Sequence, residues 1–296
     1  MSKSFFSKLA FWQSTTQSGQ LGVYLAAQAL WVFQMPQSAE TDKPTVESFP
    51  FEEQNLNAAL SAIKQQFGAA EIQFVLGASH YQLLQADKPN VDEAEINQAL
   101  IWQVKDMVSE PVTDIQLDYF ETSVSVANKV NVVIASKPLL VKLATACDEL
   151  GLTVAGISVE ELMFDQLFSD DAMAHLIVVH LPDEELLLTV VKAGELLMQR
   201  RVRGFAQLDK AKAEELSYGM ADNLSLEIQR SMDYFESQLR QAPVASISVL
   251  TDGESDTLAQ LISANFNQKV QAVEHQGVAG FMAMLARKEL SRGDAA

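Results

Sequence analysis

The stretch Ala174–Val202, AHLIVVHL-PDEE-LLLTVV-KAGE-LLMQRRV, decides the fold. Three apolar runs of strand length are separated by Pro182–Glu185 and Lys192–Glu195, two short polar segments rich in turn formers. The pattern predicts a three-stranded antiparallel meander. Downstream, Asn223–Gln241 carries Leu224, Ile228, Met232, Phe235 and Leu239 on one helical stripe and is closed by Pro243. Ser246–Thr251 then reads as a strand, Asp252–Ser255 as a loop, Asp256–Phe266 as a helix and Lys269–Val273 as a last strand, with Val278–Leu290 as the final helix. Residues 174–296 therefore form one α/β lobe that opens on a meander.

The N-terminal half repeats the plan. LGVYLAA (Leu21–Ala27) and ALWVFQ (Ala29–Gln34) read as a strand hairpin, Pro36–Ser48 as a polar connection, Glu53–Phe67 as a helix and Ile72–Gly77 as a strand, giving a first lobe over 19–89. Asp87–Asn90, DKPN, marks a boundary. Beyond it Asp92–Val108 has Ile96, Leu100, Val104 and Val108 on one face, Ile115–Glu121 and Val130–Ser136 are strand-like, and Pro138–Leu150 is a helix with Gly151 at its C-cap. With the strand Leu152–Ile157, residues 90–157 read as an inserted subdomain, and 158–173 as a connecting helix.

Composition narrows the function. A formal net charge of −18 and a pI near 4.5 exclude a dedicated nucleic-acid binder, since phosphate recognition needs a concentrated positive field. The single cysteine, Cys147, cannot form an intramolecular disulfide and sits on an apolar helix face, so it reads as a buried structural thiol in a reducing, cytoplasmic setting. No run reaches the roughly 18 apolar residues of a membrane span. Residues 1–18 form a separate aromatic-basic tail and linker; Lys3, Lys8, Phe5, Phe6 and Trp12 suit either a strip resting on an anionic membrane or a strip packing on the protein itself.

Two lobes that each open on a meander, with an insertion in the first, resemble the actin-like ATPase (ribonuclease H-like) superfamily and within it the FtsA and PilM branch. The helix LSLEIQRSMDYFESQ (Leu224–Gln238) and the junction ACDELGLTVAGISVE (Ala146–Glu160) resemble PilM-type pilus proteins. With RVRG (Arg201–Gly204), the segment 94–245 is similar to the PilM-like proteins of the mannose-sensitive hemagglutinin (MSHA) pilus system. The resemblance implies a cytoplasmic protein at the inner membrane that binds the cytoplasmic tail of a PilN-like bitopic partner and works near the pilus motor ATPase.

It also implies a nucleotide test. The superfamily grips ATP with hairpins that carry an aspartate beside a glycine, because metal and phosphates need a carboxylate and bare N–H groups at close range. Against the family pattern Gly-Ile-Asp-Ile-Gly, Gly22 is kept, Tyr24 takes the aspartate position and Ala26 the turn glycine. In the second hairpin His180 stands for the aspartate and Pro182, which lacks an N–H, for the glycine. The adenosine loop is reduced to Thr251, Asp252 and Gly253. The expectation is a degenerate site with no catalytic residue, no resident metal and no cofactor; the alternative is an ATP- and magnesium-binding ATPase that uses unusual residues.

Other candidates divide between two readings. His175 and His180 lie an odd number of residues apart, so a strand would point them to opposite faces. Asp183, Glu184 and Glu185 read as a solvated turn. Arg200, Arg201 and Arg203 suit an acidic partner or a charged, aggregation-resistant sheet edge. In the insertion, Trp102, Tyr119 and Phe120 are the candidates for capture of an extended peptide, and each also suits the core.

Overall fold

The computed structural model describes residues 19–36, 43–124 and 128–293. In chain order the strands and α-helices are β1 (Gly19–Leu25), β2 (Ala29–Gln34), β3 (Thr45–Pro50), α1 (Leu56–Phe67), β4 (Ala70–Leu76), β5 (Tyr81–Asp87), α2 (Ile96–Val104), β6 (Ile115–Phe120), β7 (Lys129–Ser136), α3 (Lys137–Glu149) and β8 (Thr153–Val159). They continue as β9 (His175–His180), β10 (Leu186–Lys192), β11 (Glu195–Val202), α4 (Ala213–Glu215), α5 (Ala221–Ser237), β12 (Ser246–Thr251), α6 (Ser255–Ser263), β13 (Lys269–Ala272) and α7 (Val278–Gly293). The described residues divide into two compact units: unit 1 comprises 19–36, 43–121, 128–163 and 282–293, and unit 2 comprises 122–124 and 164–281.

Unit 1 holds a five-stranded sheet in the order β3-β2-β1-β4-β8, with β1, β2 and β3 antiparallel and β1, β4 and β8 parallel. β1 lies in the middle, and its residues from Leu21 to Leu25 are all buried, as the near-continuous apolar run of a parallel-paired strand requires. A three-stranded antiparallel sheet, β5-β7-β6, sits beside it in sequence. Its own small core joins Ile96, Leu100 and Val104 of α2 to Leu117, Val130, Val132 and Ile134 of the strands.

Unit 2 holds the sheet β11-β10-β9-β12-β13. β9, β10 and β11 form the expected meander, and β9, β12 and β13 run parallel. Leu176, Val178, Leu188 and Val190 meet Leu224, Ile228, Met232 and Phe235 of α5 in one core, so the helical stripe visible in the sequence is packing surface.

Several elements depart from the sequence expectation. The connection Pro36–Ser48 already contains the start of β3, an edge strand with Phe49 as its one buried residue, too little apolar patterning to be read locally. Residues 81–87 form β5, which precedes the expected boundary at Asp87–Asn90 yet pairs with β7 inside the insertion sheet. β8 leaves the expected insertion and pairs in parallel with β4. The connecting helix at 158–173 is instead two 3₁₀ turns, Glu160–Leu162 and Phe164–Phe168. The helices expected at Asp92–Val108 and Asn223–Gln241 are shorter as α2 and α5.

The chain from Met282 on groups with unit 1 although the sequence placed all of 174–296 in one lobe. The reason lies at Gly22. A Cβ there would fall inside the backbone of Ala283 and Arg287, so only a glycine lets α7 lie directly on β1. Gly22→Ala should therefore cost about 1–3 kcal/mol or more through overpacking against backbone that cannot rotate away. Urea unfolding measures this, and a loss under about 0.5 kcal/mol would mean that α7 retreats freely from β1.

Candidate functional site

The candidate positions of unit 1 cluster at the end of β1. Tyr24 is fully buried, and its hydroxyl donates to Glu160 Oε1 at 2.6 Å. The same oxygen accepts the Ala78 N–H at 3.1 Å. Gly77 keeps the approach open: its N–H donates to the Leu25 carbonyl at 2.9 Å, and a Cβ there would stand 2.8 Å from the Tyr24 hydroxyl. One residue on, Glu161 Oε2 accepts the Tyr81 hydroxyl at 2.5 Å. Glu160 and Glu161 are both at 0% exposure, so each carboxylate is removed from water and its tyrosine partner supplies part of the lost hydration.

Ala26 closes the β1–β2 turn through an N–H donated to the Ala29 carbonyl at 2.9 Å, and its own carbonyl lies 3.1 Å from His80 Nε2. A carbonyl only accepts, so Nε2 carries the proton. Burial pushes the His80 pKa down, with the bond to Ala26 and the charge of Glu53 acting against it. The turn that the resemblance assigns to a phosphate is thus occupied by protein contacts on both sides.

In unit 2, His180 ends β9 at 0% exposure and pairs in register with Thr251 of β12. Neither ring nitrogen makes a hydrogen bond of normal geometry among the described residues. Burial lowers the pKa of His180; the carboxylates of Asp209 and Asp252 and the Glu184 backbone act against that shift. Pro182 leads into a turn in which Asp183, at φ +61°, binds Lys210 Nζ at 2.9 Å.

Thr251 and its neighbours are likewise committed. The Thr251 carbonyl faces His275 Nε2 at 3.0 Å, and His275 Nδ1 accepts the Gly277 N–H at 3.0 Å. Asp252 Oδ1 accepts the Val278 N–H at 3.0 Å and so caps the start of α7. Gly253 has φ +81°, and a Cβ would strike the Asp209 carbonyl, so this glycine serves the close passage of the Asp209 loop. Asp209, Asp252 and Glu254 leave this end of the sheet acidic, the wrong sign for a triphosphate. Among the described residues no group of three or more histidine, cysteine or carboxylate side chains is arranged to hold a metal ion.

The insertion candidates are dispersed. Trp102 is 62% exposed on α2, with Lys105 Nζ 5.1 Å from its ring centroid. Tyr119 and Phe120 are half-buried on β6, an edge strand. A cavity of about 220 Å³ opens elsewhere in unit 1, lined among others by Glu53, His80, Gln82, Glu110, Ser136 and Leu139, and none of the three aromatics lines it. Phe5, Phe6 and Trp12 lie outside the described residues. Cys147 is buried, and burial pushes its thiol up to about 12, which makes it inert. Sequence reasoning missed Glu160, Glu161, Asp209 and His275 as site residues; an acidic pair after an apolar strand reads as solvated until the tyrosines arrive from elsewhere in the chain.

No protein-family model and no curated protein matches the chain. Solved structures do. The chain is similar to a PilM–PilN type IV pilus biogenesis complex at 14% identity, covering 95% of this chain and 100% of that one with a TM-score of 0.61. It is also similar to the cytoplasmic domain of EpsL, an inner-membrane component of the type II secretion system of Vibrio cholerae, at 15% identity, 93% and 95% coverage and a TM-score of 0.52. A Bacteroides thetaiotaomicron protein described as having an actin-like ATPase fold matches at 11% identity, 91% and 96% coverage and a TM-score of 0.51. The chain therefore has the actin-like ATPase fold.

Two outcomes follow. Tyr24→Phe removes one donor from a buried carboxylate and should lower stability by about 1–3 kcal/mol in urea unfolding; an unchanged midpoint would show that Glu160 is satisfied without it. For His180 the folded pKa lies below the unfolded 6.5, so the unfolded chain binds more protons once the pH falls below that value. Stability contributed by neutral His180 is complete above pH 6.5 and lost as the pH falls toward the folded pKa. His180→Gln should lose less stability than the parent between pH 7 and pH 5, and equal losses would refute the assignment.

Proposed function

We propose that this protein is a cytoplasmic, PilM-like adaptor of a type IV pilus assembly machine, of the MSHA kind, and not a working ATPase. It binds the cytoplasmic tail of a PilN-like bitopic inner-membrane protein and stands near the motor ATPase, with the aromatic-basic tail carrying Phe5, Phe6 and Trp12 as a peripheral membrane contact. The resemblance of Ala146–Glu160 and Leu224–Gln238 to PilM-type proteins supports the family. The fold shared with a PilM–PilN complex is consistent with it. No helix among the described residues is long and apolar enough to cross a membrane, which fits a partner that supplies the membrane span.

The observation that carries the non-enzymatic reading is the end of β1. A nucleotide-binding member needs a carboxylate free to position metal there and a bare turn for phosphate. Here Tyr24 fills the position and is bound to Glu160, while the Ala26 turn is bound to His80. For the partner tail, unit 1 offers the open edge of β6, which carries Tyr119 and Phe120, the exposed Trp102 and the polar cavity beside α3.

Isothermal titration of the full chain with Mg-ATP and with a peptide of the PilN-like cytoplasmic tail tests both halves. The expected result is saturable peptide binding, weakened about tenfold by Trp102→Ala or by Tyr119→Ala with Phe120→Ala, and no ATP binding below the millimolar range. Micromolar ATP binding would overturn the non-enzymatic half, and absence of peptide binding the adaptor half.

A further inference from the structure

Unit 2 carries an outward face that its own fold leaves unused. α4, the π-turn Leu216–Met220 and α5 follow one another without a break in the chain. Their inner stripe, Leu216, Ala221, Leu224, Ile228, Met232 and Phe235, is buried in the unit 2 core. The outer side shows Tyr218 at 90% exposure, Leu226 at 57% and Tyr234 at 44%. Tyr218 and Gly219 leave helical geometry, with Gly219 at φ +112°, and it is at this irregularity that the Tyr218 ring stands out in solvent. Among the described residues Tyr218 has no hydrogen bond, ion pair or ring contact, so its exposure contributes nothing visible to the fold.

We propose that this face docks a basic amphipathic helix of a partner protein. Charge selects that chemistry. Glu214, Glu215, Asp222 and Asp233 are exposed along the segment. Residues 212–237 carry six carboxylates, Glu214, Glu215, Asp222, Glu227, Asp233 and Glu236, against Lys212 and Arg230, a net of −4; Arg230 pairs with Glu227, which also holds Arg200 at 2.6 Å. A cationic helix would neutralise the acids, lay lysine or arginine over the Tyr218 and Tyr234 rings, and set its apolar side on Leu226. Leu226 and Tyr234 lie eight residues apart on one helix, a rise of about 12 Å, which matches anchors two turns apart on a helical partner. A second copy of this chain fits poorly, because a net charge of −18 makes two copies repel. The inference involves a different unit from the PilN-like tail and stands or falls independently of it.

The test uses a labelled amphipathic peptide of leucine and lysine, about 18 residues or five helical turns long, titrated into the full chain and followed by fluorescence anisotropy. A leucine–glutamate peptide of the same pattern is the control. Saturable binding of the lysine peptide alone is expected. It should weaken at least about tenfold in Tyr218→Ser with Leu226→Ser, and lose much of its salt dependence in Asp222→Asn with Asp233→Asn, but stay unchanged in Val141→Ser, an exposed apolar position on α3. All these positions are exposed, and thermal melts check that each variant is folded. Absence of saturable binding, retention of affinity in the Tyr218/Leu226 variant, or an equal loss in Val141→Ser would overturn the proposal.

Discussion

The seating of α7 on β1 at Gly22 is the constraint on which unit 1 depends. A strand buried at the centre of its sheet normally presents side chains to whatever covers it, and the separation is set by their size. Here the bare Cα admits the helix backbone itself, with Ala283 and Ala286 fully buried on the helix side. The C-terminal segment thereby becomes part of the unit that begins the chain, and β1 is held from above as well as by β2 and β4. That fixed strand places Tyr24 where its hydroxyl reaches Glu160.

The buried carboxylates give the candidate site its character. Glu160 and Glu161 leave β8 into a 3₁₀ turn, and each is met by a tyrosine hydroxyl delivered from β1 or from the start of β5. Removing a carboxylate from water is costly unless such donors are in place, so these pairs tie together segments distant in sequence. In unit 2 the corresponding end of the sheet is organised differently, by His180 held neutral through burial and by Asp252 engaged at the start of α7. Tyr24 and Ala26 in unit 1, and Thr251, Asp252 and Gly253 in unit 2, make contacts within their own units.

With a net charge of −18 on the chain, nucleic acid is a disfavoured partner and the faces that carry exposed aromatics stand out for recognition. The insertion offers a sheet edge and Trp102; α5 offers Tyr218, Leu226 and Tyr234 among aspartates and glutamates. The α5 face favours a cationic, apolar-studded partner over nucleic acid or a second copy, and long-range attraction would speed such an encounter.

Elements whose burial repeats with a local period are legible in the residues alone. The meander of β9, β10 and β11, the stripe of α5, the hairpin of β1 and β2 and the Gly151 cap of α3 are all legible, because each pattern is a direct consequence of one face meeting the core. Every relation across long stretches of chain is set by folding instead: β5 and β8 join sheets on either side of the expected boundary, α7 returns to β1, and Glu160 meets Tyr24 across 136 residues. Periodicity reports which side of an element is buried, but the choice of partner depends on shape, charge and donor geometry that exist only once the chain has folded.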